Sequence, residues 1–114
     1  MDGNNQFRYA VVYYVPDPTR TERTPIGVIM TGIGFVATRF VSSWAHVLRA
    51  DPDCDLDFLA AIESELGRIL QRGDRESAWQ QLEEWSNAIQ VSERGWLRTN
   101  SPEMALDRLA KHYL

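Results

Sequence analysis

The sequence predicts an α+β fold: a three- or four-stranded antiparallel sheet, laid down by an N-terminal meander, packed against about four helices. Three observations carry this expectation. The first third of the chain alternates β-branched and aromatic residues in short runs, separated by connections rich in Pro and Gly. From Ser42 onward the apolar residues recur at helical spacing instead. No linker, repeat or low-complexity segment divides the chain, so its 114 residues and 13.1 kDa read as a single domain spanning 1–114. A domain of that size hides roughly two-thirds of its unfolded surface and folds without staples.

Residues Phe7 to Val15 form the first predicted strand. Phe7, Tyr9, Val11, Tyr13 and Val15 take one face, while Ala10, Val12 and Tyr14 make the other largely apolar. Two apolar faces suit a central strand. Pro16 and Pro18 end it, since neither has an N–H to give a ladder. Ile26 to Met30 and Phe35 to Val41 are the next two strands, joined by the Thr31-Gly-Ile-Gly34 connection. Pro25 stands at the start of the second, where proline is tolerated.

Ser42 or Ser43 caps the first predicted helix, whose Trp44, Val47 and Leu48 share a face before Asp51-Pro52 stops it. Asp55 or Asp57 caps the second, with Leu59, Ile62, Leu66 and Ile69 inward and Gly73 as its stop. Asp74 opens a third, striped by Ala78, Leu82, Trp85 and Ile89. Ile89 to Thr99 reads as irregular, with a short strand at Ile89 and Val91 and a turn at Ser92-Glu-Arg-Gly95. Ser101-Pro-Glu103 starts the final helix with a capping serine, a proline in the first turn and an acid at the positive end. Its inward face is Leu106, Leu109, Ala110 and Tyr113.

Charge and composition restrict the function classes. Eleven arginines and one lysine face 16 acids, for a net charge of −4 and a pI near 5.1. That balance argues against a surface built wholly for nucleic acid, while leaving room for a local basic patch. Cys54 is the only cysteine, so there is no internal disulfide and no Cys-rich zinc site. The polar, acidic start Met1-Asp-Gly-Asn-Asn-Gln is no secretory signal, and no apolar run reaches the ~20 residues of a membrane span. A soluble, cytoplasmic protein without a membrane partner is expected.

The chemical candidates are few. Pro16-Asp17 with Glu22 resembles the acids of metal-dependent nucleases, but the lysine such sites use is absent from Glu22-Arg-Thr24, and Lys111 is far along the chain. Asp51-Pro-Asp-Cys-Asp-Leu-Asp57 alternates carboxylates as calcium loops do. A calcium loop also needs a glycine at its sixth position and a glutamate at its twelfth. Counting from Asp51 those places hold Leu56 and Ile62, and from Asp53 they hold Phe58 and Ser64. No metal is therefore expected. His46 and His112 have no clustered partner, and aspartates around Cys54 raise the pKa of its thiol. Gly27, Gly32 and Gly34 match no nucleotide-binding pattern, so no cofactor is expected. The sequence leans away from an enzyme and assigns no catalytic residue.

What stands out is residues 16–24, a long and charged connection between two strands. Asp17 and Glu22 can brace Arg20 and Arg23, and guanidinium forks left over can meet a phosphate or a partner's carboxylate. Asp17, Arg20, Glu22 and Arg23 are the candidate partner- or phosphate-binding residues. Trp79, off the stripe of its predicted helix, is a candidate partner contact.

In these residues the chain resembles the bacterial domain-of-unknown-function family 3037. Tyr9 to Tyr14 resembles that family's Tyr-rich strand, Pro16-Asp17-Pro18, Arg20 and Glu22 its loop, and Ile26-Gly27-Val28-Ile29 its second strand. Looser similarity runs through Asp51-Pro-Asp53, Asn87-Ala-Ile-Gln90 and the Ser-Pro-Glu helix start. The family's loop glycine is Thr21 here, and an asparagine before the second strand is Pro25. The resemblance implies no established activity. It does imply a partner or regulator role beside HipA-like kinases; the expected function, a non-enzymatic protein-interaction or regulatory module, rests on the charged connection and the lack of an assembled catalytic set. The alternative is an enzyme or accessory factor acting on nucleic acid or a phosphate ester through Asp17, Arg20, Glu22 and Arg23.

Overall fold

Strand β1, Gln6–Tyr14, lies in the middle of the sheet, as its two apolar faces require. The computed structural model describes residues 5–16, 23–71 and 89–114. Strand β2 is Thr24–Gly32 and β3 is Phe35–Phe40. Helices α1, Ala45–Ala50, and α2, Leu56–Gln71, follow. Strand β4 is Ile89–Arg98, and α3, Pro102–Tyr113, closes the described chain. The four strands run in the order β3-β2-β1-β4, every neighbouring pair antiparallel. This is the expected α+β class with the expected meander.

Helices cover both faces. On one, Ala10, Val12, Ile26 and Ile29 pack with Val47 of α1 and Leu59, Ile62 and Leu66 of α2. On the other, Phe7, Val11, Tyr13, Val28 and Met30 pack with Leu106 of α3, and Leu109, Ala110 and Tyr113 border them. Each fully buried Leu or Ile stabilises by about 1.5–3 kcal/mol relative to an exposed one, so the two layers hold the sheet between them. Two glycines admit the close packing: a Cβ on Gly27 would meet the Phe40 ring at 3.0 Å, and one on Gly32 would overlap the ring of Phe7.

Several expectations need correction. The stretch read as irregular is the continuous ten-residue strand β4. Its Ser92-Glu-Arg-Gly95 run is no turn: the register against β1 skips from Tyr9↔Gly95 to Ala10↔Glu93, and Gly95, at φ +144°, absorbs the distortion. Ile89, assigned to a helical stripe, opens this strand, because Ile89 and Val91 alternate onto the buried face. About four helices were expected and three are found among the described residues; Gly73 and Asp74, with Ala78, Leu82 and Trp85 of the third predicted helix, lie outside them. Finally, Ser101 occupies the N-cap position of α3 without a side-chain bond. Its own N–H instead donates to Thr99 Oγ1 at 3.0 Å, so the threonine fixes the entry to the helix.

At α2 the cap falls as expected. Asp55 Oδ1 accepts the Phe58 N–H at 3.2 Å at the start of α2. At α1 the expected cap by Ser42 or Ser43 is not found: Trp44 holds the N-cap position without a side-chain bond, and Ser43 Oγ accepts the Ala45 N–H at 3.2 Å from one residue further out. Among the described residues no helix is long and apolar enough to cross a membrane.

Candidate functional site

Strand β1 ends in two tyrosines, and the alternation of a strand sends their rings to opposite faces. Tyr13 pairs across to Pro25 and Gln90, and Tyr14 to Thr24 and Ile89. The end of β1, the start of β2 and the start of β4 therefore meet at one edge of the sheet. Residues 17–22, which follow β1 and precede β2 in the sequence, lie outside the described residues. A register shift between Val12 and Tyr13 leaves Ile26 as an extra residue on β2, which bends the strand just inside that edge.

On the α3 side of the edge stands Arg23, the residue before β2. Its guanidinium carbon lies 4.1 Å from the centre of the Tyr13 ring. One terminal nitrogen donates to Gln90 Oε1 at 2.8 Å. Tyr13 is buried and Arg23 exposed, so the cation rests on a fixed aromatic floor and faces water. Such stacking is worth about 0.5–1 kcal/mol at an exposed site. Gln90 supplies a neutral acceptor, so this contact orients the fork without cancelling its charge. Among the described residues no carboxylate forms an ion pair with Arg23, whereas Arg39 pairs with Asp107 at 3.2 Å and Arg68 with Glu65.

On the α1–α2 side, the Tyr14 hydroxyl donates to Asp51 Oδ2 at 2.8 Å. Burial, then this bond and the negative charge of Asp51, push the phenol up to about 12. Asp51 also closes α1 by donating its N–H to the Val47 carbonyl at 2.8 Å, and its Oδ1 accepts the Asp53 N–H at 3.2 Å. Cys54 donates its N–H to the Asp51 carbonyl at 3.1 Å and packs beside the core. Burial first, then Asp51 and Asp55, push its thiol up, which keeps it protonated and a poor nucleophile. The aspartates of this segment thus serve as a helix stop, a tyrosine acceptor and a cap. Among the described residues no three His, Cys, Asp or Glu side chains gather as metal ligands would.

The histidines are apart. His46 Nε2 lies 3.1 Å from the Pro25 carbonyl, which can only accept, so Nε2 carries the hydrogen and ties α1 to β2. His112 lies in the last turn of α3, edge-on to Tyr113 with ring centres 4.6 Å apart.

Of the residues singled out by sequence, Arg23 is placed and the structure gives it a defined seat. Asp17, Arg20, Glu22 and Trp79 lie outside the described residues. Sequence reasoning missed the two groups that hold Arg23. Tyr13 had been counted only as strand, and Gln90 had no signal, because it lies 67 residues from Arg23 in the chain. The Tyr14–Asp51 bond, spanning 37 residues, was equally hidden.

Against known proteins, the family model described as "Protein of unknown function (DUF3037)" matches residues 9–114, essentially the whole chain. Comparison with curated proteins and with solved structures finds no match.

Proposed function

The chain belongs to the DUF3037 family, proteins of unknown function, and from that premise we propose that it is a non-enzymatic protein-interaction module that recognises an acidic surface through Arg23. One observation carries this reading: an exposed guanidinium stacked at 4.1 Å on a buried tyrosine, oriented by a glutamine and lacking a carboxylate partner among the described residues. An arginine held this way loses little side-chain entropy on binding and presents a planar fork suited to a carboxylate. In this reading Asp17, Arg20 and Glu22, close to Arg23 in the sequence, belong to the same recognition segment. The resemblance to the family supplies the class of partner, a HipA-like kinase.

Co-purification with a HipA-like kinase from the same genome tests the reading. Arg23→Glu should abolish recovery while the melting temperature changes little, since the substituted side chain is exposed. Recovery equal to that of the unaltered protein would remove Arg23 from the interface. A single-stranded oligonucleotide in parallel tests the phosphate-binding alternative, which predicts binding that falls steeply with salt.

A further inference from the structure

A guanidinium can pair with a carboxylate along its end edge, Nη1 with Nη2, or along its side edge, Nε with Nη2. In Arg23 the fold has already engaged part of the group. Its carbon lies 4.1 Å from the centre of the Tyr13 ring, and Nη1 donates to Gln90 Oε1 at 2.8 Å. The side edge carries no bond among the described residues. Its two hydrogens run parallel, at the spacing of the two oxygens of one carboxylate. Taking Arg23 as the recognition group proposed above, we infer that its side edge receives a single partner carboxylate bidentately. Gln90 is the positioning residue that holds this edge ready.

The sheet supplies both supports. Tyr13 and Gln90 are register partners on β1 and β4, so their side chains leave the sheet on the same face. Tyr13 is buried, which keeps its ring from tilting away beneath the cation. Arg23 reaches them from the other side of β1, where it directly precedes β2. The ring fixes the plane of the guanidinium, and the Gln90 bond fixes its rotation within that plane. Two constraints of this kind aim one edge.

The residue type at each position separates geometry from charge. An amide at position 90 accepts the Nη1 hydrogen and leaves the positive charge for a partner. A carboxylate there would accept the same hydrogen and cancel the charge. A methyl group there would release the fork to turn over the ring. A lysine at position 23 would keep the charge but has no pair of parallel donors.

Calorimetric titration of the HipA-like kinase tests the edge, with Arg23→Glu as the control for the site itself. Arg23→Lys should weaken binding about tenfold although the charge is kept. Gln90→Glu should weaken it about tenfold as well, and Gln90→Ala about threefold. In the Arg23→Lys background Gln90→Ala should cost nothing further, because no fork remains to be oriented. Kinase treated with a phosphatase should bind as before. No binding by the unaltered protein, or full binding by Arg23→Glu, would remove the site and this inference with it. Loss in Arg23→Glu beside full affinity in Arg23→Lys would keep the site and overturn the bidentate edge. Full affinity in Gln90→Glu, or an undiminished cost of Gln90→Ala in the Arg23→Lys background, would overturn the role of Gln90. Binding lost on phosphatase treatment would assign the edge to a phosphate and overturn the carboxylate.

Discussion

Tyr14 shows how one hydroxyl sets the chemistry of its surroundings. Its bond to Asp51 joins the end of β1 to the turn between α1 and α2. Tyr14→Phe removes the donor and leaves a half-buried carboxylate oxygen short of a partner, which should cost about 1–3 kcal/mol in urea unfolding. The effect depends on pH with a definite sign. Because the phenol is raised from 10.0 in the unfolded chain to about 12 in the fold, its stabilising contribution is complete below pH 10 and is lost as pH rises towards 12. The gap between wild type and Tyr14→Phe should therefore narrow in alkaline solution. A gap that is constant from pH 8 to 12 would mean that the hydroxyl is not protected as described. At Cys54 the raised pKa predicts alkylation at pH 8 slower than that of an unstructured thiol, measured by iodoacetamide uptake.

At the scale of elements, the parts that the sequence foretold are those whose signal is local. Period-two alternation placed β1, and its two apolar faces placed it centrally. The spacing of Leu59, Ile62 and Leu66 placed the buried stripe of α2, and Leu106 that of α3. Strand β4 was obscured because Ser92-Glu-Arg-Gly95 has the composition of a turn, and only pairing with β1 turns that run into a bulged strand. Gly95 is the residue that this requires, so Gly95→Ala should cost about 1–3 kcal/mol through backbone strain at positive φ. The start of α3 offers a paired test. Thr99→Ala should destabilise by about 0.5–1.5 kcal/mol and Ser101→Ala by less, because the threonine hydroxyl accepts the Ser101 N–H while the serine side chain makes no capping bond. The reverse order would restore the serine as the cap.

On the scale of the whole molecule, the decisive fact is that β4, late in the chain, lands beside β1. Nothing in the spacing of residues announces that adjacency, yet it brings Gln90 to Arg23. The sequence pointed to the charged connection and to Arg23 through charge and proline content. It could not reveal that Tyr13 would be the floor beneath that arginine, since the same ring serves equally as core. The result is a domain whose helices bury both faces of the sheet and whose Arg23 stands exposed at one end. That division should let Arg23 change with little effect on stability, as charged residues beside rigid scaffolds commonly do.

The central claim is that Arg23 acts as a pre-oriented cation rather than as one charge among many. Calorimetric titration of a HipA-like kinase with Arg23→Glu and with Arg39→Glu tests it most directly, because the two variants change net charge identically and Arg39 is already paired with Asp107 on the opposite edge strand, β3. The account predicts at least about a tenfold loss of affinity for Arg23→Glu, with Arg39→Glu close to wild type. Equal losses in the two variants, or none in Arg23→Glu, would contradict it.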